Sequence, residues 1–354
     1  MKRFIYLIQA RQESPCFDAL RSDQADCLVL YWKPNRGRPI RSFHVRHPHW
    51  SDTLQLFAND RMARGNGDGG DYEFIGDSRL LLRWDNWPVE TVEWDPSRAL
   101  FCCKTQGTTL REIPIPASTM PNDMPSIDAI GSTWNTGRNR LLKRALEMGH
   151  YEYLIFMDDD VTLEDLDSAT NAAAFRTFEQ FLEEYQPAVG FCSGGWHTRR
   201  GASQAVTAPH AFDACLNAFR ADTLRVLLPY YEGFDSISWW WSHELLLSLC
   251  SLTFRGEAMQ CNTLQYTNAL SAAYPRQDAL DVSLAHEFLA SSIRDRDVAT
   301  SLPTYPNNRQ IDYPLSPRSE TRIGRAQLTR NFDLEHIYWR DKIQFWQSTI
   351  GEWL

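Results

Sequence analysis

Three adjacent acids, Asp158, Asp159 and Asp160, directly follow the short apolar run at residues 154–157. Such a run predicts a buried strand. Adjacent carboxylates repel one another and are stable only in water or where a cation compensates them. At the end of a strand, the i, i+2 spacing of Asp158 and Asp160 points both carboxylates to one side, where they could hold a hard divalent cation. The alternative is a solvated acidic turn that caps the next helix.

The segment before this strand favours the metal-binding interpretation. Residues 141–148 combine apolar and basic positions and are followed by Gly149, which predicts a helix with a glycine stop. Asn135, Arg138 and Asn139 would then lie at its N-terminal turn, where free N–H groups and the helix dipole favour an anion. The guanidinium of Arg138 or of Arg140 could add a charged fork suited to phosphate. Helix, strand and acids therefore form one local unit with a phosphate-binding end and a metal-binding end.

This unit, from Thr136-Gly137-Arg138-Asn139 through Asp160, resembles the GT-A glycosyltransferases, which use nucleotide sugars. The resemblance is local and covers about residues 131–164. It implies a metal-dependent hexosyl- or pentosyltransferase that moves a sugar from a nucleotide-diphosphate sugar to a glycan or glycoconjugate acceptor. Asp158 and Asp160 would hold Mn²⁺ or Mg²⁺, and Asp158 and Asp159 would contact the donor.

The same resemblance suggests a catalytic base and a further metal ligand. In that family an acid shortly before a helix often acts as the base; Glu244 fits best and Asp235 is second. His243 precedes Glu244 where the common pattern has another acid or a glycine. A later histidine often completes the metal shell, and His286 is the candidate, with a solvated helix histidine as the alternative.

The end of the first predicted strand, residues 4–10, supplies candidates for contacts to the donor nucleotide. Parallel sheets bind ligands at the carboxyl ends of their strands. Gln9, Ala10 and Arg11 are therefore expected near the nucleotide, although Arg11 could equally be a surface loop residue.

Tryptophans supply the candidates for acceptor binding. Trp239, Trp240 and Trp241 are consecutive and cannot all face one core, and flat indole faces suit the C–H faces of sugars. Trp196, after a pair of glycines, and His243 complete the expected acceptor set. For any single tryptophan, half-buried packing is the alternative.

Composition limits the classes of partner and the compartment. The chain has 354 residues and a formal net charge of −9, which opposes a nucleic-acid partner. No apolar run approaches about 18 residues, so we expect no transmembrane segment, and the first apolar run is too short for a signal peptide. Eight cysteines without a Cys-x-x-Cys pair favour reduced thiols and a cytoplasmic location.

The elements predict an α/β fold that is GT-A-like, or Rossmann-like: a mixed, mainly parallel sheet flanked by helices, with an insertion and a C-terminal helical extension. A strand, a short helix and a second strand open the chain and suggest a right-handed parallel unit. We expect a catalytic domain at residues 1–300, with an irregular insertion at 33–128. Residues 301–354 would form an extension with a linker and an amphipathic helix.

That last helix carries a sharp apolar stripe composed of Trp339, Ile343, Trp346, Ile350 and Trp353. The stripe could dock on the body of this chain, pair with a second copy in a homodimer, or make peripheral contact with a membrane. Its charges are balanced and not basic, which weakens the membrane alternative.

Two other classes of function compete with a transferase. Asp158-Asp-Asp-Val-Thr162 also fits the motif of haloacid dehalogenase-type phosphatases, where Asp158 would be the nucleophile. That motif usually follows the first strand, whereas here it lies in mid-chain. A non-catalytic carbohydrate-binding protein would use the tryptophans alone.

Overall fold

The computed structural model describes the following residues: 2–10, 20, 25–31, 39–57, 60–64, 69–76, 78–114, 126–128, 132–166, 171–194, 204–209, 211–268, 282–302, 312–313 and 323–354. The chain forms two compact units. The sheet unit comprises Met1–Lys33 and Met120–Leu354, and the barrel unit comprises Pro34–Thr119.

The sheet unit contains ten described strands in one sheet. They are β1 Phe4–Ala10, β2 Ala25–Tyr31, β11 Ser126–Asp128, β12 Tyr153–Asp158, β13 Val161–Asp165, β14 Val189–Gly194, β15 Val206–Pro209, β16 Leu216–Arg220, β17 Ala258–Asn268 and β18 Asp312–Tyr313. The order is β11-β2-β1-β12-β16-β14-β17-β15-β18, with β13 paired to β17. The predicted first strand and the strand before the acids are confirmed, and they lie side by side in parallel.

Helices accompany this sheet in the same unit. They are α1 Trp134–Met148, α2 Asn171–Tyr185, α3 Leu224–Leu227, α4 Trp239–Thr253, α5 Ser283–Ser291, α6 Arg296–Thr300, α7 Arg325–Asn331 and α8 Ile337–Ile350. One apolar cluster joins β1, β12, α1, α4 and α8 and includes Leu142, Phe156, Leu246 and Trp339. The stripe tryptophans of α8 and the segment after it, Trp339, Trp346 and Trp353, are buried in this cluster.

The barrel unit is a closed antiparallel barrel of eight strands in the order β10-β3-β4-β5-β6-β7-β8-β9. They are β3 Pro39–His47, β4 Trp50–Phe57, β5 Arg61–Arg64, β6 Gly69–Ile75, β7 Arg79–Trp84, β8 Glu90–Asp95, β9 Leu100–Cys102 and β10 Thr109–Ile113. Inward side chains such as Phe43, Leu54, Leu80 and Leu110 fill the interior and form its core. Closure pairs β10 with β3 and so removes both sheet edges.

The expected GT-A-like, mainly parallel sheet flanked by helices is wrong. Parallel pairing is limited to β1 with β2 and β12, β11 with β2, and β14 with β17. The other sheet pairings, including β12 with β16 and β13 with β17, are antiparallel. The expectation extended the parallel start of the chain to the whole. After β12 the sheet continues with β16, which is antiparallel to both β12 and β14, and β13 joins the sheet through antiparallel β17.

The expected irregular insertion also has a different form. Eight strands, β3 to β10, lie in the region that was expected to be irregular, and they form the closed barrel. Its strands follow one another through short connections, and such connections permit antiparallel pairing only. None of the helices within the described ranges combines the length and apolar character required to cross a lipid bilayer.

Candidate active site

The helix α1 begins where two threonines and a carboxylate meet. Thr133 caps the helix, because its side chain accepts a hydrogen bond from the N–H of Thr136 at 3.1 Å. The helix ends at Gly149, whose N–H donates to the carbonyl of Ala145, so the predicted glycine stop is confirmed. Asn135, Arg138 and Asn139 lie inside the first turns of this helix and are buried.

A buried ion pair joins α1 to the end of β12. Arg138 Nη2 donates to Asp158 Oδ1 at 2.8 Å, and Trp134 Nε1 donates to the same oxygen at 3.3 Å. The guanidinium carbon of Arg138 lies 3.8 Å from the centre of the Trp134 ring. The side chains of Arg138 and Asp158 are 1% and 6% exposed, so both charges are removed from water. Arg138 therefore holds the first acid of the motif inside the protein.

Burial and charge act in opposite directions on Asp158. Burial raises the pKa of the Asp158 carboxyl, the adjacent Arg138 opposes this increase, and Asp160 adds to it. A buried carboxylate without its cation would be strongly unfavourable. The ionised form of Asp158 thus depends on Arg138.

Tyr230 completes this buried network from a different part of the chain. Its hydroxyl accepts a hydrogen bond from Arg138 Nη1 at 3.2 Å. Its backbone N–H donates to Asn139 Oδ1, and its carbonyl accepts from Asn139 Nδ2, both at 2.8 Å. Asn139 Nδ2 also donates to Glu232 Oε1 at 2.8 Å. Arg138 and Asn139, predicted as direct donor-binding residues, thus both bind Tyr230.

The anion at the N-terminal turn of α1 is a carboxylate of the protein. Asp235 accepts hydrogen bonds from Asn135 Nδ2 at 2.5 Å, from Thr136 Oγ1 at 3.4 Å and from the hydroxyl of Thr133. Asp235 therefore supplies the negative charge that the helix dipole favours. In this arrangement Asp235, the second candidate for catalytic base, and Asn135, a donor-binding candidate, anchor the start of α1.

The remaining two acids lie in the turn after the strand. β12 ends at Asp158, and Asp159 and Asp160 form the turn into β13 with half-buried side chains. Asp158 and Asp160 would point to the same side only on an extended strand that continues through Asp160, but β12 ends at Asp158. Asp158 is therefore turned inward to Arg138, whereas Asp159 and Asp160 are more exposed to solvent.

The acids can contribute oxygen ligands to a metal without forming a complete shell. The described residues contain no group of three or more His, Cys, Asp or Glu side chains that could hold a metal ion. Mg²⁺ commonly takes only one or two protein carboxylates, with phosphate oxygens and waters completing the shell. Asp159 and Asp160 fit such a shared site. Asp158 is a weaker ligand because one of its oxygens already accepts two hydrogen bonds.

His286, the predicted third ligand, belongs to α5, which packs beside α4 through buried Ala285 and Leu289. Burial lowers the pKa of its imidazole. Within the described ranges it is not grouped with the acids in a possible metal site.

The donor-side candidates from β1 lie next to these acids. Gln9 pairs with Asp158 across the parallel strands, and its Nε2 donates to the carbonyl of Thr133 at 3.1 Å. A Cβ added to Gly137 would lie 2.3 Å from Gln9 Nε2, so glycine permits this close approach of helix and strand. Ala10 is fully buried. Arg11 lies outside the described residues.

The acceptor-side candidates surround the first turns of α4. Trp241 is buried, whereas Trp239 and Trp240 are half-buried. Trp240 Nε1 donates to Glu244 Oε1 at 2.7 Å, so the predicted base is hydrogen-bonded to an indole one helical turn away. His243 is fully buried and its Nε2 lies 2.9 Å from the carbonyl oxygen of Phe212. Trp196 lies outside the described residues.

The structure adds residues that the sequence did not assign to the site. Trp134 and Tyr230 both contact Arg138, and Asp213 is connected to Asp158 through Cys215. Asp213 Oδ1 accepts from the N–H of Cys215 at 3.2 Å, and the Cys215 carbonyl accepts from the N–H of Asp158 at 3.0 Å. Asp213 carried one signal, since an acid within a largely apolar stretch needs a polar partner. Tyr230 carried none, because only tertiary structure brings it to α1.

Gly194, the first of the two glycines before Trp196, has a packing role. A Cβ on Gly194 would lie 2.4 Å from the ring of Tyr266, so that ring lies directly on the backbone at the end of β14. Gly195 lies outside the described residues.

Comparison with known proteins assigns no function, so the residues described above are the basis of the functional proposal. No protein-family model matches the chain, and no curated protein matches it.

Proposed function

We propose that this chain is a glycosyltransferase that moves a hexosyl or pentosyl group from a nucleotide-diphosphate sugar to a hydroxyl of a glycan or other acceptor. The observation that carries the proposal is the arrangement at the end of β12. Asp158 is fixed inside by Arg138 and Trp134, and Asp159 and Asp160 follow in a more exposed turn. A rigid inner acid with two outer acids suits a diphosphate whose charge is shared with a divalent cation.

Mn²⁺ or Mg²⁺ fits the outer acids best. Asp159 and Asp160 offer only carboxylate oxygens, which hard divalent cations prefer. Such a cation would supply charge stabilisation for the departing diphosphate. Asp158 contributes by holding the turn in place, because its carboxylate is directed to Arg138.

The chain's own residues can carry the remaining steps. An acceptor sugar against Trp239 or Trp240 would lie next to Glu244, which Trp240 orients. Glu244 takes the proton of the acceptor hydroxyl as its oxygen attacks the anomeric carbon. The bond from that carbon to the diphosphate oxygen breaks, and the nucleoside diphosphate leaves with the electron pair.

The two competing classes fit the geometry less well. A phosphatase nucleophile at Asp158 would have to reach a phosphorus atom, yet its carboxylate is paired with Arg138 and accepts a second hydrogen bond from Trp134. A carbohydrate-binding protein without catalysis would have no use for the acids at β12. Neither a homodimer nor membrane contact through α8 is part of the proposal, because Trp339, Trp346 and Trp353 are already buried. No nucleic-acid partner is proposed for a chain of net charge −9.

The decisive experiment separates metal binding from folding. Calorimetric titration with Mn²⁺ and a set of nucleoside diphosphates is expected to show metal-dependent nucleotide binding, and nucleotide-sugar hydrolysis should require the metal. Asp160→Asn should reduce turnover by at least about a hundredfold and leave the unfolding midpoint unchanged. Glu164→Gln, an exposed acid on β13, is the matched control and should retain activity.

Three results would oppose the proposal: no nucleotide binding with either metal, full activity of Asp160→Asn, or a trapped phosphoryl group on Asp158. The last would assign the chain to the phosphatase class. Sugar binding without donor hydrolysis would assign it to the non-catalytic binding proteins.

A further inference from the structure

A lysine of the C-terminal helix is buried against a run of backbone carbonyls. Lys342 is 2% exposed, and its Nζ donates to the carbonyl oxygens of Leu227 at 2.7 Å and Pro229 at 2.9 Å. One turn later on α8, Trp346 Nε1 donates to the carbonyl of Leu228 at 2.9 Å. Two side chains of α8 therefore hold three consecutive carbonyls, those of residues 227–229.

The next residue after these carbonyls is Tyr230, the tyrosine that contacts α1. Asn139 binds both its backbone N–H and its carbonyl, and Arg138 donates to its hydroxyl. Arg138 in turn binds Asp158. The path from Lys342 to Asp158 thus consists of hydrogen bonds and one stretch of backbone, with each member buried.

Packing alone does not explain a buried lysine at this position. Removing an ammonium group from water is unfavourable, and a methionine would fill similar space without that cost. The amine, however, donates to two carbonyl oxygens that an apolar side chain could not bind. The hydrogen bonds at this position, and not the volume of the side chain, explain the residue type.

We propose that Lys342 is a positioning residue: it fixes the Leu227–Pro229 backbone so that Tyr230 orients Arg138, and hence Asp158, at the end of β12. The geometric part of this proposal, that Lys342 fixes the positions of Tyr230, Arg138 and Asp158, concerns only the folded chain. Its consequence for turnover rests on the proposed glycosyl transfer.

The geometric part is tested by hydrogen exchange, which needs no activity. In Lys342→Met, amide exchange in residues 134–140 and 153–158 should become faster by roughly tenfold, because these segments lose their fixed partner. Arg340→Met is the matched control, since it removes a positive charge from an exposed position of the same helix. In the control, exchange in both segments should remain as in the unmodified chain.

A local effect would overturn the proposal. If exchange in Lys342→Met changes only in residues 224–231 and 337–350, the lysine supports its own surroundings and nothing further. Should Lys342→Met fail to fold, Trp346→Phe keeps an aromatic ring and removes the hydrogen bond to Leu228 together with part of the ring volume. The same two segments then decide the outcome, with a smaller expected change.

Turnover provides a second readout that simple loss of stability would not reproduce. A displaced Asp158 should lower kcat for the donor by about tenfold or more and change the donor KM much less, because small misplacements mainly affect the reaction step. Unchanged kcat together with faster exchange in residues 153–158 would contradict the catalytic consequence. If the chain has no nucleotide-sugar activity, the proposed function fails, and hydrogen exchange still decides the geometric claim.

Discussion

Each unit of this protein contains a buried carboxylate, and the two are compensated differently. In the barrel unit, Glu90 begins β8 and is 6% exposed; Thr108 donates to its Oε1 at a long 3.4 Å. Its Oε2 is buried without a hydrogen-bond partner among the described residues. In the sheet unit, Asp158 is equally buried but accepts charged and neutral hydrogen bonds from Arg138 and Trp134.

This difference separates a packing core from a chemical site. The barrel interior is filled by apolar side chains such as Val45, Leu56 and Val92, and Glu90 is an exception within it. At the end of β12, by contrast, the Asp158 carboxylate is paired with Arg138 and accepts a second hydrogen bond from Trp134. A buried charge that is paired and hydrogen-bonded is compensated, whereas an unpaired buried charge costs stability. Removing charge should therefore have opposite signs in the two units.

The largest expected effect comes from Arg138→Met. It leaves Asp158 buried without its cation, and breaking a buried ion pair in this way costs about 3–5 kcal/mol of unfolding free energy. Urea unfolding of the full chain measures the loss. Arg140→Met, two positions along α1 and exposed, is the control and should change stability by less than about 0.5 kcal/mol. If Arg138→Met and Arg140→Met lowered the unfolding free energy equally, the buried ion pair would contribute nothing special, and Asp158 would not differ from Glu90 in how its charge is compensated.

The local parts of this network could be predicted from sequence. The apolar run at residues 154–157 and the stop at Gly149 correctly predicted β12 and the end of α1. The partners of Arg138 could not be predicted, because the motif suggested a phosphate and the structure supplies Asp158 and Tyr230. Sequence spacing identifies a charged side chain, but tertiary packing decides whether it faces a ligand or another residue.

An intermediate effect is expected for Asp235→Ala. This carboxylate binds Asn135, Thr133 and Thr136 at the start of α1, and losing such an N-terminal anchor costs about 1–2 kcal/mol. Thermal unfolding measures it, with Glu232→Ala as a comparison, because Glu232 is exposed and binds only Asn139 among these α1 residues. A stability unchanged by Asp235→Ala would show that the anchor is dispensable, and Asp235 would return as a candidate base.

The barrel was hidden in the sequence for two physical reasons. In β7, Leu80, Leu81 and Leu82 are consecutive, so the alternation of inward and outward positions cannot be seen, although Leu80 and Leu82 are fully buried and Leu81 is not. Closure also depends on β10 pairing with β3, which lies more than 60 residues earlier. No local pattern reports a pairing of that separation.

The smallest expected effect, and the one of opposite sign, is that of Glu90→Gln. Burial raises the pKa of Glu90, and the hydrogen bond from Thr108 and the charge of Arg64 oppose the increase only in part. The folded barrel therefore binds this proton more tightly than the unfolded chain does. Ionisation then costs stability once the pH rises above the unfolded value of about 4.3.

Glu90→Gln removes that cost, so at pH 7 it should stabilise the barrel by up to about 1 kcal/mol, and the gain should disappear as the pH falls to about 4. Hydrogen exchange in peptides from residues 79–113 reports on the barrel unit alone. Glu93→Gln, an exposed position on the same strand, should change exchange little at either pH. Destabilisation by Glu90→Gln at pH 7 would mean that the folded barrel stabilises the ionised form of Glu90, as Arg138 does for Asp158. The barrel would then contain a charged site of its own.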